Sequence, residues 1–163
     1  MAFWTGWQKN KRQKKLQREQ VMAVHDRIVD HLFDIIKNGN LKIEDDYDLR
    51  FDLMIFFASY LLFCKKEDVE FSQSFWEIVF EGIQESLRLR GVTDVRMGAR
   101  MGQAYTDATA RRNAYIAAWE TEDNELLRKA IARNILCGAK PDDKRVETII
   151  AGLEGFEDNM MNS

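Results

Sequence analysis

The chain is poor in breakers. One proline, Pro141, and nine glycines punctuate 163 residues. That leaves little room for loops and favours long helices. Cysteine is equally scarce. Cys64 and Cys137 lie 73 positions apart with no paired Cys or His spacing, which argues against a zinc site, a CxxC redox pair or a disulfide framework. Both read as buried thiols in a reducing compartment. The two histidines, His25 and His31, are six positions apart and do not share a helix face. The Asp26, Asp30 and Asp34 stripe beside them reads as a solvated face, or a docking surface for a basic partner, rather than a metal site. The longest uncharged apolar stretch, Leu53 to Cys64, has twelve residues, against the roughly twenty a membrane span needs. The N-terminus lacks the pattern of a secretory signal, since its aromatic residues precede the charges and no apolar segment follows. The chain therefore reads as soluble and unprocessed. It has no Gly-rich phosphate loop, GxSxG, HExxH or serine with a nearby histidine. The sequence offers no catalytic residue, no metal ligand set and no cofactor.

What is present is lopsided. Net charge is −3, too near neutral for a global nucleic-acid binder, yet residues 1–20 hold six basic residues and one acidic residue, Glu19. This lead carries Phe3, Trp4 and Trp7, then Lys9, Lys11, Arg12, Lys14, Lys15 and Arg18. Tryptophan favours the headgroup region of a bilayer, and each nearby cation adds about 1 kcal/mol on an anionic surface. Stacking and phosphate contacts suit ribosomal RNA equally. Trp4, Trp7, Lys11, Arg12, Lys14, Lys15 and Arg18 are accordingly candidates for contact with a membrane or ribosome surface. The plain alternative is a solvated tail whose aromatic residues pack back on the domain.

The remainder reads as helices. A chain of this length buries roughly 70% of its unfolded surface and needs no staple. Val21 to Lys37 has Ile28, Leu32 and Ile35 at helical spacing, with Gly39 as a stop. Leu49 to Lys66 is apolar on most sides, as a central helix is. Ser74 and Glu77 have capping-box spacing for a third helix, with Ser72 as another possible start, and Gly91 ends it. Asp94 is placed to cap a fourth helix running to about Trp119. Glu125 to Leu136 follows, closed by Gly138. Pro141 suits the first turn of a last helix ending near Leu153. No segment sustains a period of two. The expectation is an all-α fold: a single compact bundle of about six helices with mixed crossing angles. It comprises a lead over 1–20, a domain over 21–153 and a frayed acidic tail over 154–163.

Gly98 and Gly102 form GxxxG, and Thr106, Ala110, Ala114 and Ala118 continue that row in small residues. Such a ridge lets another backbone approach closely. Tight packing of two helices inside the domain is the first reading. The functional reading is a groove for a hydrophobic client helix, bordered by the adaptable Met97 and Met101. Met97, Gly98, Arg100, Met101 and Gly102 are therefore the candidate client-binding residues.

Three blocks resemble the ubiquinol–cytochrome c chaperone family. They are Arg50–Phe51–Asp52–Leu53 leading into MIFFASYLLF, then Phe80 to Met101 with SLRLRGVTDV and RMGARM, then ARNILCG at Ala132 to Gly138. The resemblance spans roughly Val24 to Gly138. Relatives often carry more basic residues around Arg100, where this chain has Ala99, Gly102 and Gln103; Arg96 and Arg100 remain. The resemblance implies a non-catalytic assembly factor for respiratory complex III that holds newly made cytochrome b until haem and further subunits join. It also implies a small assembly-factor partner and work near the ribosomal exit region. The place would be the cytoplasmic face of a bacterial inner membrane, or the mitochondrial matrix in a eukaryote. The residues alone leave two rivals: an all-α enzyme or small-molecule carrier with an interhelical pocket, and a structural subunit of a larger assembly.

Overall fold

A computed structural model describes residues 2–162, with side chains from residue 6 onward. The described residues form seven helices and no strand: α1 (Ala2–Asn38), α2 (Tyr47–Cys64), α3 (Val69–Leu89), α4 (Asp94–Glu120), α5 (Asn124–Asn134), α6 (Lys144–Ala151) and α7 (Phe156–Met161).

Aspartate starts four of them. The carboxylates of Asp46, Asp68, Asp123 and Asp143 accept the amides of Leu49, Phe71, Leu126 and Arg145 at 2.9 to 3.0 Å. Each satisfies one amide that the first helical turn leaves without a partner. Asp68 overrides the Ser74 capping box, so α3 begins about a turn and a half earlier than the spacing predicts. Asp143 does the same for α6, leaving Pro141 in the preceding turn. At α4 the cap position is Thr93, with no side-chain bond, and Asp94 is the first helical residue. Its charge there still favours the positive end of the helix dipole. Gly91, at φ +85°, ends α3: its amide donates to Arg88 and the Val92 amide to Leu87, the arrangement that a left-handed residue makes possible.

The core is built around α2, which packs against α1, α3 and α4. Leu53, Ile55, Phe56, Phe57, Ala58 and Leu61 are all fully buried. Phe56 meets Phe57 and Tyr115 edge-on at 5.1 Å, and Trp119 closes the cluster from α4. Edge-to-face geometry sets the positive ring edge on the negative face and adds roughly 1 kcal/mol beyond burial.

The tail departs from expectation. Rather than fraying, residues 156–161 form α7, because Phe156 is an anchor buried beside Phe57 and His31, and Met160 is buried with it. His31 Nε2 donates to the Gly152 carbonyl at 2.8 Å and Arg27 Nη1 to the Met160 carbonyl at 2.5 Å. Lys65 and Glu157 pair at 2.9 Å. Gly152 sits so close to α1 and α2 that a Cβ there would lie 2.8 Å from Ile35 Cδ1. Ser163 lies outside the described residues. Neither cysteine is fully buried: Cys64 is half-buried and Cys137 exposed.

Candidate functional site

The lead is the first half of α1, an unbroken helix from Ala2 to Asn38. Nothing in its sequence breaks it, since Gly6 is the sole glycine and no proline occurs. From Gly6 to Gln20 every side chain is exposed except that of Gln17, and Trp7 shows 59% of its surface. Trp7, Lys11, Lys14 and Arg18 fall on one face by their spacing of four, three and four. The Lys11 ammonium lies 5.1 Å over the Trp7 ring, a cation–π contact that neutralises neither group. Lys15 is 4.0 Å from Glu19, and Arg12 lies on another side of the helix. Arg18 is committed elsewhere: its guanidinium meets Glu81 of α3 at 2.5 Å, which raises its pKa further. It marks the point where the arm joins the domain. One turn on, Val21 is buried, and His25 reaches Gly82. The Trp4 side chain lies outside the described residues.

The second candidate group is divided by α4. Met97 is buried and belongs to the core, and Met101 is half-buried against it. Gly98, Arg100 and Gly102 are exposed, and a Cβ added to either glycine would meet nothing within 4 Å. The expected close helix packing at GxxxG is therefore not realised. The small residues that let α4 approach its neighbours are Ala104, Ala108 and Ala118, on an adjacent row with Met97 and Tyr115. Both rows are small, so spacing alone did not separate them. The glycine row faces solvent along its first three turns and reaches packed positions only at Ala114 and Ala118.

Two features escaped sequence reasoning. The first is an ion pair between α2 and α4. Arg111 Nε is 2.9 Å from Asp52 Oδ1, yet the two atoms lack hydrogen-bond alignment. Burial pushes the Asp52 carboxyl up to about 7, against the opposing pull of Arg111. The second is a cleft of about 540 Å³ between α1, α2 and α3, with Phe33, Tyr47, Phe51, Arg50 and Arg90 among the residues that line it. Arg50 lies over Phe33 at 4.8 Å and Arg90 over Tyr47 at 4.7 Å. Neither site has a local motif; each depends on which helices become neighbours.

With this geometry in place, the sequence model described as "Ubiquinol-cytochrome C chaperone" matches residues 10–154. The chain belongs to that family. The crystal structure of the Cbp3 homolog from Brucella abortus is similar, with a TM-score of 0.71 at 21% identity over 96% of this chain and 89% of that one. That likeness shows a shared fold. No curated protein matches the chain. The matched segment takes in most of the arm together with the helical domain, so the family pattern begins at Asn10, before the helix meets α3. Among the described residues, no helix is long and apolar enough to cross a membrane, and no group of three or more Asp, Glu, His or Cys side chains is placed to hold a metal ion.

Proposed function

We propose that this chaperone-family protein is a non-catalytic assembly factor for respiratory complex III. Its client is newly made cytochrome b, and it meets that client at an anionic membrane or at the ribosomal exit region. The observation that carries the reading is the projecting first half of α1, an unbroken helix that bears Trp7 and five cations beyond the packed core. An exposed tryptophan and a basic stripe supply the two signals that stable peripheral attachment generally requires. Lys9, Arg12 and Lys14 form no ion pair among the described residues, Lys11 lies over Trp7 and exposed Lys15 pairs with Glu19, while Arg18 is held by Glu81. The exposed side of α4, with Gly98, Arg100 and Gly102, offers a small-residue surface on which an apolar client helix would lie closely. A small assembly-factor partner fits the same reading, at the cytoplasmic face of a bacterial inner membrane or in a mitochondrial matrix.

The test is crosslinking of the protein to nascent chains, together with deletion of its gene and recording of cytochrome b spectra. The expected result is a crosslink to cytochrome b and a loss of its haem absorbance in the deletion strain. Normal complex III levels with no such crosslink would refute the reading. Fractionation separates the two surfaces: sedimentation with vesicles assigns the membrane, and sedimentation with ribosomes assigns the exit region.

A further inference from the structure

The cleft between α1, α2 and α3 lies apart from both candidate surfaces. Its walls are Val29, Leu32, Phe51, Met54, Val79 and Ile83. Of the polar side chains that line it, Asp45, Asp46, Arg50 and Ser86 are already engaged. Asp45 accepts two bonds from Arg50, at 2.7 and 3.0 Å. Asp46 accepts the Leu49 amide at 2.9 Å, and the Ser86 hydroxyl donates to the Gly82 carbonyl at 2.9 Å. Along these walls a polar ligand finds few partners, whereas an aliphatic one gains by covering apolar surface.

One end differs in kind. The Arg90 guanidinium lies 4.7 Å over the Tyr47 ring. Arg90 forms no ion pair among the described residues. Leu89, 82% exposed, stands beside Arg90 at the opening. The ring holds one face of the Arg90 fork and leaves its N–H edges free for a carboxylate or phosphate.

Volume chooses between occupants. A helix with side chains is 10–12 Å across, so one turn of it fills about 500 Å³. The cleft holds barely one turn of a client helix, but it lies within the range of ordinary small-ligand sites, about 300–1,000 Å³. We propose that this cleft binds a single-chain anionic amphiphile, with its aliphatic chain along the Val29 to Ile83 walls and its head group on Arg90. The chain arrives either as a free fatty acid or as one tail of an anionic phospholipid; both present the same chemistry to the site.

The probe is cis-parinaric acid, a conjugated fatty acid whose emission is sensitised by nearby tryptophan, titrated into the full-length protein. Saturable binding of one per chain is expected, with a cationic amphiphile of equal chain length competing at least tenfold more weakly than palmitate. Arg90→Glu weakens parinarate at least tenfold. Ser86→Trp, a change at an exposed position that fills the cleft, abolishes it and leaves the basic arm intact. Failure to saturate, equal competition by the cationic chain, or unchanged binding in Ser86→Trp overturns the proposal. The charge comparison is made on the unaltered protein and so stands if a variant misfolds. Vesicles carrying parinaroyl phosphatidylglycerol then name the source: transfer from them assigns the membrane lipid, and binding of the free acid alone assigns the fatty acid.

Discussion

Phe156→Ala tests whether the tail is part of the cooperative unit. The Phe156 ring is 1% exposed, 5.2 Å from Phe57 and from His31, and 6.0 Å from Tyr60, centroid to centroid. Truncating a fully buried phenylalanine costs about 3–5 kcal/mol, the transfer term plus the cavity left behind. The neighbours cannot easily collapse into that space. Phe57 is fixed on the central helix, and His31 is tied to the Gly152 carbonyl. A value near 4 kcal/mol is therefore expected. With an unfolding entropy of about 2.1 cal/mol/K per residue over 163 residues, that loss lowers the thermal midpoint by about 12 °C. Differential scanning calorimetry reads the shift, and urea titration reads the free energy at constant slope. A shift below about 3 °C would correspond to less than about 1 kcal/mol. It would place α7 outside the folding unit and refute the anchoring described above.

The glycine row on α4 gives a second test. Gly98→Ala and Gly102→Ala should each stabilise the protein by up to about 1 kcal/mol, because the added Cβ meets nothing and alanine is the better helix former. Destabilisation in urea titration would instead show the close packing that spacing alone suggests. Asp52 yields a pH prediction. Its folded pKa, about 7, lies above the ordinary 3.8, so the native state keeps a proton that the unfolded chain releases between about pH 4 and 7. Stability contributed by this group therefore falls as pH rises through that window and is flat above it. Melting points of wild type minus Asp52→Asn should decline from pH 4 to 7, and a difference independent of pH would refute the assignment. For the arm, replacing Lys11, Arg12, Lys14 and Lys15 with Gln removes about 4 kcal/mol of attraction to an anionic surface, roughly a thousandfold. Co-sedimentation with anionic vesicles at low salt, where screening is weak, measures it.

Local chemistry predicted the elements well where one residue type decides. The apolar run from Leu53 to Cys64 had to be central, and α2 is. Gly91 ends α3 at positive φ as its sequence context suggests, whereas α5 stops at Asn134 with Ile135 as its cap, four residues before Gly138. Starts were read less well, because serine and proline signals competed with aspartates nearby and the aspartates won at positions 68 and 143. The tail was missed because one aromatic residue in a short acidic segment carries no periodicity; only the space beside Phe57 shows what Phe156 does. The candidate residues divide in the same way. The exposure of the arm followed from its composition. The sides of α4 did not, since Gly98, Gly102, Ala104 and Ala108 are all small and only the neighbouring helices decide which row is covered. The α1–α2–α3 cleft and the Asp52–Arg111 pair join residues tens of positions apart, and no pattern along the chain encodes that.

The continuity of α1 has a mechanical consequence. From Trp7 to Val21 the chain rises about 1.5 Å per residue, roughly 21 Å, with no hinge between the exposed tryptophan and the first core residue. A disordered leader of the same length would let the domain wander in all directions around its point of attachment. This one acts as a strut. Whatever Trp7 and Lys11 grip would be held at a set stand-off from the domain. The face that bears Trp7 and Lys11 is the face whose Arg18 meets α3, so their angle to the domain is set as well. Inserting a flexible Gly-Ser segment between Leu16 and Arg18 would abolish that geometry.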